Sequence, residues 1–302
     1  MLRNLTVLLV LLFGARSGLG EERLLKQEVA SKFLSCSRTV RIYLPASYYL
    51  EPNHRYPVLY LHDGQNLFSS AGTNICFGWG NWELDKTVDA LCQAKKIQEL
   101  MLVAVDNTSA RYLEYCGRHH PPDTNANTEF ENYASFLVRE LKPKIDSDYR
   151  TKPEPANTGL LGSSMGGLCS IVLAWEHPDV FGRAASLSGA FQVEETHFLN
   201  NVVRPYQGKA KQTHLYLDSG VVDFMGGDDG RKLTEAVAQE FRRIGWSEKT
   251  LMHYVDVKPL TLPELKNAGL RQDKWAEAQT SQHNEFYWRL RVWRALTFLF
   301  PP

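Results

Sequence analysis

Residues 159–168 read GLLGSSMGGL. Apolar residues run into two serines, and Gly162, Gly166 and Gly167 crowd around Met165. A chain turning from a strand into a helix accounts for glycine here, because glycine is the usual turn residue. The spacing says more. Gly162-Ser163-Ser164-Met165-Gly166 fits G-x-S-x-G, in which the central serine sits on a sharp strand-to-helix turn with its hydroxyl exposed as a nucleophile. So short a pattern gains weight only from its surroundings. A strand must precede it, a helix must follow it, and an acid and a histidine must come later in the chain.

The surroundings fit. Pro57 to His62, PVLYLH, and Leu100 to Val105, LMLVAV, are short apolar runs suited to strands buried on both faces. Thr39 to Leu44 alternates as a strand does. Further strands are read at Thr158 to Leu161, Ala184 to Leu187, His214 to Leu217 and Leu251 to Val255. Between them lie helical stretches: Glu83 to Lys95, Tyr133 to Ile145, Met165 to His177 and Leu233 to Ile244. In the last stretch Phe286, Leu290, Trp293, Leu296 and Phe300 recur at helical spacing and predict one apolar face. Strands alternating with helices imply an α/β fold, a mostly parallel central sheet with helices on both faces. Sites in such sheets lie at the carboxyl ends of the strands, and the 159–168 stretch supplies one of those ends.

A serine hydroxyl is a poor nucleophile at neutral pH. It needs a histidine to take its proton and a carboxylate to orient that histidine. On this architecture the order is serine, acid, histidine. His177 closes the helix after Ser164, and His253 lies inside an alternating strand where it should face a helix layer. His283, in the loop QHNEF before the last helix, is the expected base, with Asn284 or Gln282 starting that helix. The acid should follow the strand HLYL. Asp218 and Asp223 are level on residue chemistry, whereas Asp228 and Asp229 read as a solvated turn. Negative charge developing on the substrate needs two backbone donors. The amide of Met165 is the first, and the amide of Gln65, in the turn HDGQN, is the second.

The ends and composition set the frame. Arg3, the apolar run LTVLLVLLFG and the small residues before Glu21 describe a secretory signal peptide over residues 1–20. Residues 21–302 then form a single domain, secreted or periplasmic. The apolar run falls short of the roughly 20 residues of a membrane span. The 34 basic residues balance the 34 acidic ones, which removes the electrostatic case for a nucleic-acid partner. The five cysteines have no C-x-x-C spacing, so zinc and dithiol chemistry lose support. Outside the cytosol some could pair, but the odd count leaves at least one thiol free in a monomer. His119 and His120 lack a third ligand by spacing and read as loop residues. No cofactor and no metal is implied. Asn107-Thr108-Ser109 is a glycosylation sequon.

Four stretches together resemble the esterase family that includes enterochelin esterases, feruloyl esterases and S-formylglutathione hydrolase. They are YLHDGQNLF at 60–68, GLLGSSMGGL at 159–168, PDVFGRAASLSGAF at 178–191 and HNEFYW at 283–288. The resemblance spans most of residues 35–300. It implies an α/β-hydrolase fold and cleavage of small-molecule or glycan-linked esters through an acyl-serine. HNEFYW is similar to the family's H-N-E-x-x-W pattern and supports His283. LDSGVVDF at 217–224 resembles its strand followed by G-x-x-D, which favours Asp223 as the acid. RYLEY at 111–115 resembles a segment on the substrate side, so Arg111 is an expected substrate contact; Trp79, in GWGNW, is an expected pocket wall, with core packing as its alternative.

One feature departs from the family. Roughly 25 residues separate the last strand from His283, where about 2–6 are usual. The apolar residues of this insertion, Leu260, Leu262, Leu265, Leu270 and Trp275, predict that it packs beside the site. Other readings of the chain are an acyltransferase on the same fold, in which an alcohol replaces water, a peptidase, and a non-catalytic binding protein. The last usually lacks a triad residue, and here none is missing.

Overall fold

The computed structural model describes residues 22–116, 125–223, 226–278 and 280–302. The expected signal peptide and the His119–His120 pair lie outside these residues. Eight strands form one sheet: β1 (Leu24–Val29), β2 (Arg38–Tyr43), β3 (Val58–Leu61), β4 (Met101–Val105), β5 (Thr158–Ser163), β6 (Arg183–Leu187), β7 (His214–Ser219) and β8 (Leu251–Val255), in the order β1-β2-β4-β3-β5-β6-β7-β8. β1 and β2 are antiparallel at one edge, and the other six strands run parallel. The sequence reading missed β1. Its pattern LLKQEV is half exposed at the sheet edge and carries little of the apolar signal of a buried strand.

The helices are α1 (Leu84–Gln93), α2 (Arg111–Cys116), α3 (Asn125–Ser135), α4 (Lys142–Asp148), α5 (Met165–Glu176), α6 (Val193–His197), α7 (Arg231–Ile244), α8 (Leu262–Asn267) and α9 (Glu285–Leu299), with Phe136–Leu141 continuing α3 as wider π-type turns. They cover both faces, as the alternation of side chains along a strand requires. On one face Val58, Tyr60, Leu160 and Leu217 pack with Phe136, Ile171 and Val237. On the other Leu59, Leu61, Leu161 and Leu187 pack with Leu84, Val88, Val292 and Leu296. β5, the strand that delivers Ser164, is buried along its whole length between the two layers.

The last helix buries most of the predicted face, Phe286, Leu296 and Phe300, with Leu290 half-buried against Phe286 and Tyr287; Trp293 is the exception. Trp293 is 39% exposed, with the Arg294 guanidinium over its ring. Beside Phe286, Leu296 and Phe300, the buried surface takes in Tyr287, Trp288, Arg291, Val292, Ala295 and Leu299. That surface carries an arginine, which counts against burial until its partners are known. Those partners are Asp218 and Asp229, described below. Asn284 starts the helix, accepting a hydrogen bond from the Tyr287 amide at 3.2 Å.

The insertion folds as expected, with one exception. α8 begins with a capping box between Thr261 and Glu264. Leu265, Leu270 and Ala278 are buried against Phe286 and Tyr287, with Leu260 and Trp275 packed around them. Leu262 is 52% exposed and takes no part. All five thiols are free: Cys116 and Cys169 are buried, Cys76 and Cys92 half-buried, and Cys36 exposed. Among the described residues no helix is long and apolar enough to cross a membrane.

Candidate active site

β5 ends at Ser163 and α5 begins at Met165, so Ser164 alone makes the turn. Its backbone lies at φ 54°, ψ −124°. A non-glycine residue there costs on the order of 1–3 kcal/mol and persists only where packing enforces it. The glycines explain how. A Cβ on Gly162 would lie 2.5 Å from the backbone of Gly166, and one on Gly166 would lie 3.1 Å from His62 Cβ. Strand and helix therefore close on each other and push Ser164 outward. Ser163 is buried and Ser164 is part-exposed.

His283 arrives from the far end of the insertion. Its amide donates to Val222 O at 3.2 Å, and a bridge between Val222 and Gln282 aligns the two segments. Its Nδ1 lies 2.6 Å from Oδ1 of Asp229. A carboxylate can only accept, so Nδ1 carries the proton and Nε2 is left as the acceptor. Ser164 and His283 both line one cavity of about 820 Å³.

The carboxylate on His283 Nδ1 thus belongs to Asp229 and not to the expected Asp223. Among the described residues of the 220–229 excursion, Asp223 is tied to Gly226 and Gly227. The Asp223 amide donates to Gly227 O at 3.0 Å, and the Asp223 carbonyl accepts from Gly226 at 3.0 Å. Asp223 shapes this excursion, and Asp229, at φ 56° just before α7, turns inward. Far from lying in a solvated turn, Asp229 is 1% exposed. Its Oδ2 accepts from the Ser188 hydroxyl at 2.6 Å and from the Gly220 amide. Burial alone would raise its pKa, but the hydrogen bond and charge of His283, together with Arg291 and Ser188, hold it below the usual carboxylate range. Asp218, the other candidate, is fully buried beneath this layer and bound to Arg291 Nε at 3.1 Å and to the Tyr216 hydroxyl at 3.0 Å. Burial pushes its carboxyl up to about 6 despite that cation.

Both expected backbone donors sit at strand ends. Met165 is the first residue of α5, where no carbonyl four residues back is available to its amide. Gln65 lies in the single turn Gly64–Asn66 after β3. The left-handed residue of that turn is Asp63, at φ 59°. Gly64 is needed for a different reason than turning: a Cβ there would meet Asp106 Oδ1 at 2.7 Å and the Ala104 backbone at 2.9 Å. The Gln65 side chain accepts from the Asn107 amide at 3.1 Å and ties the turn to the end of β4. Met165 lines the cavity, and on the other side of Gln65 so do Asp63 and Asn66.

Residues 31–297 match the family described as "Putative esterase". The chain belongs to this esterase family. Its activity is carboxylic ester hydrolysis. The esterase is 24% identical over 229 residues to the uncharacterized protein YbbA of Bacillus subtilis, covering 71% of this chain and 82% of that protein. It is 28% identical over 170 residues to an endo-1,4-beta-xylanase/feruloyl esterase of Xylanibacter ruminicola, covering 52% of this chain and 20% of that larger protein. Among solved structures it shares its fold with a ferulic acid esterase (TM-score 0.65, 18% identity, 92% of this chain and 97% of that one). It also shares it with the enterobactin esterase of Shigella flexneri (TM-score 0.66, 16% identity, 92% and 59%).

The walls of the esterase cavity come from several elements. Arg111, from α2, lines it but makes a two-pronged ion pair with Asp63 at 2.6 and 2.8 Å, so it clamps the turn that carries Gln65. Asn107 adds a third bond to Asp63, at 2.5 Å. Glu114, in the same helix, is buried against Arg38 at 2.6 Å and anchors α2 to β2. Trp79 lines the cavity and also meets the insertion, with Lys274 Nζ 4.9 Å from its ring centre. Arg271 bonds Asn74 at 2.8 Å, so the insertion braces the 74–79 wall. Trp82, Trp288 and Phe77 join Trp79 as the aromatic part of a lining that also carries Asp63, Asn66, Asn107, Arg111 and Glu285. His253 stays in β8, where burial and Arg242 of α7 lower its pKa; it faces the helix layer as expected. The residues that sequence reasoning missed are Asp229, Ser188 and Arg291. Only the pairing of a buried arginine with two aspartates could have flagged them, and no spacing rule links those positions. Among the described residues no group of three or more His, Cys, Asp or Glu side chains is placed to hold a metal.

Proposed function

We propose that the esterase works through an acyl-serine, with Ser164 as nucleophile, His283 as general base and acid, and Asp229 orienting His283. The observation that carries this reading is the 2.6 Å contact between Asp229 and His283 Nδ1 in the cavity that exposes Ser164. Ser164 Oγ attacks the ester carbonyl carbon while Nε2 of His283 takes its proton. The carbonyl oxygen gains negative charge, which the amides of Met165 and Gln65 stabilise. The tetrahedral intermediate collapses, the alcohol departs with the proton held by His283, and Ser164 remains acylated. Water then repeats the sequence, giving its proton to Nε2, and the acid leaves with Ser164 restored. Asp229 stays ionised throughout and stabilises the imidazolium.

The four aromatic side chains on the cavity wall, Phe77, Trp79, Trp82 and Trp288, favour esters with an apolar or planar acyl group, in line with the ferulic acid esterase and enterobactin esterase among the structural neighbours. The basic start and short apolar run at residues 3–14 support a secreted or periplasmic enzyme acting on small-molecule or glycan-linked esters. Rapid mixing with p-nitrophenyl esters tests the mechanism. A burst of nitrophenol equal to the enzyme concentration is expected where deacylation is slower than acylation. A fluorophosphonate probe should add once, on the peptide that carries Ser164; addition elsewhere removes the assignment.

The insertion is expected to set specificity, since Arg271 and Lys274 hold the wall that contains Trp79. Replacing roughly residues 262–276 by a short Gly/Ser linker should leave turnover of acetyl esters within about threefold and change the ranking of long-chain and feruloyl esters by about tenfold or more. A folded variant with the wild-type ranking across the panel would show that the segment only covers the sheet.

A further inference from the structure

A serine far from Ser164 in sequence sits directly behind the acid. Ser188 follows β6 and is buried, at φ 48°, a left-handed backbone for a non-glycine residue. Its amide donates to Asp218 O at 2.9 Å. Its hydroxyl oxygen meets three groups: Trp288 Nε1 at 3.0 Å, a terminal nitrogen of Arg291, and Asp229 Oδ2 at 2.6 Å. The chemistry of the three partners removes any freedom in the hydroxyl. An indole N–H and a guanidinium can only donate, so they occupy the two lone pairs of Oγ. An ionised carboxylate can only accept, so the one hydroxyl proton must point at Asp229. We propose that Ser188 is a positioning residue for the acid, its hydroxyl locked towards Asp229 by Trp288 and Arg291.

The arrangement has a consequence for the other face of the carboxylate. Oδ2 is saturated by Ser188 and the Gly220 amide, which leaves Oδ1 to face His283 Nδ1. Trp288 also stands edge-on to His283, with ring centres 5.0 Å apart, so one residue of α9 touches the base and fixes the group behind the acid. Arg291 is shared between the two aspartates, with Nε 3.1 Å from Asp218 and a terminal nitrogen 3.7 Å from Asp229. Its third nitrogen donates to the Ser281 hydroxyl at 2.9 Å, two residues before His283. α9 therefore reaches the base, the acid and the serine between them. Strain at Ser188 is held by these contacts, which is the expected company for an unfavourable backbone near a site.

The inference rests on Ser164, His283 and Asp229 being the reacting set, so Ser164→Ala is measured alongside. Ser188→Ala removes the hydroxyl, and Ser188→Gly removes it while also relieving the left-handed backbone. Loss of a hydrogen bond to a charged acceptor predicts a fall in kcat of about tenfold to a hundredfold on p-nitrophenyl acetate, with KM within about twofold. Ser188 does not line the cavity, so a KM effect is not expected. The far-downfield proton resonance of His283 Nδ1–H should weaken or shift in both variants, a change that loss of stability alone does not produce. Unchanged kcat, a loss confined to KM, or an unaltered resonance in folded protein overturns the proposal. So does failure of both variants to fold, which makes Ser188 structural. An active Ser164→Ala would instead overturn the reading of the site itself.

Discussion

Ser164→Ala is expected to lower kcat on p-nitrophenyl esters by about 10⁴–10⁶-fold while the protein stays folded. Under the proposed mechanism the hydroxyl at the elbow forms the acyl-enzyme, so its removal deletes that step outright. What survives is binding and the stabilisation of a developing oxyanion, which retain about 10³–10⁴-fold over water in enzymes of this chemistry. The fold should tolerate the change, because Ser164 packs little and the elbow is imposed by the close approach of Gly162 and Gly166. Ser163→Ala is the control. Ser163 is buried at the end of β5 and borders the cavity, but it is a strand residue and not the elbow, so turnover should change by less than about threefold. Steady-state rates with thermal unfolding on both variants decide it. An inactive Ser163→Ala beside an active Ser164→Ala would place the nucleophile one residue earlier.

Asp229→Asn is expected to cost about 10³–10⁴-fold in kcat, and Asp223→Asn less than about threefold. The reason is proton placement. Oδ2 of Asp229 accepts from Ser188 and from the Gly220 amide, so the oxygen of an asparagine would keep that position and its NH₂ would face His283. Nδ1 would then have to accept, which moves the ring proton to Nε2, where Ser164 needs an acceptor. Asp229 is also held below the usual carboxylate range. Its charge therefore contributes stability above the unfolded-state pKa, and that contribution is lost as pH falls through the lower folded value. Asp229→Asn should flatten this acid limb of the unfolding curve as well as remove turnover. Should Asp223→Asn be the inactive variant, with Asp229→Asn close to wild type, the acid has been assigned to the wrong end of the 220–229 excursion.

The sequence by itself determined the frame of this enzyme. Short apolar runs bounded by turns mark buried parallel strands, because such strands contact helices on both faces and have no polar side. G-x-S-x-G after one of these strands marks the proposed nucleophile, because that spacing lets strand and helix backbones close around a single exposed serine. His283 was legible for a similar local reason: it stands in the loop just before a helix start, with Asn284 as its cap. β1 was missed because an edge strand is half solvated and its pattern fades.

Which carboxylate meets His283 was decided by tertiary structure alone. Asp218, Asp223 and Asp229 all follow β7 and are all aspartates, so local chemistry does not separate them. What separates them is which one is held against His283, and for Asp229 that depends on Ser188 and Arg291, which lie far away in the chain. The face of α9 was decided in the same way. The buried surface of the helix is wider than the apolar stripe and includes Arg291, because two aspartates from other elements meet it there, while Trp293 is left half-exposed. Sequence periodicity records the average polarity of a face. It does not record whether a buried charge will find its partner, since that partner is brought in by the fold.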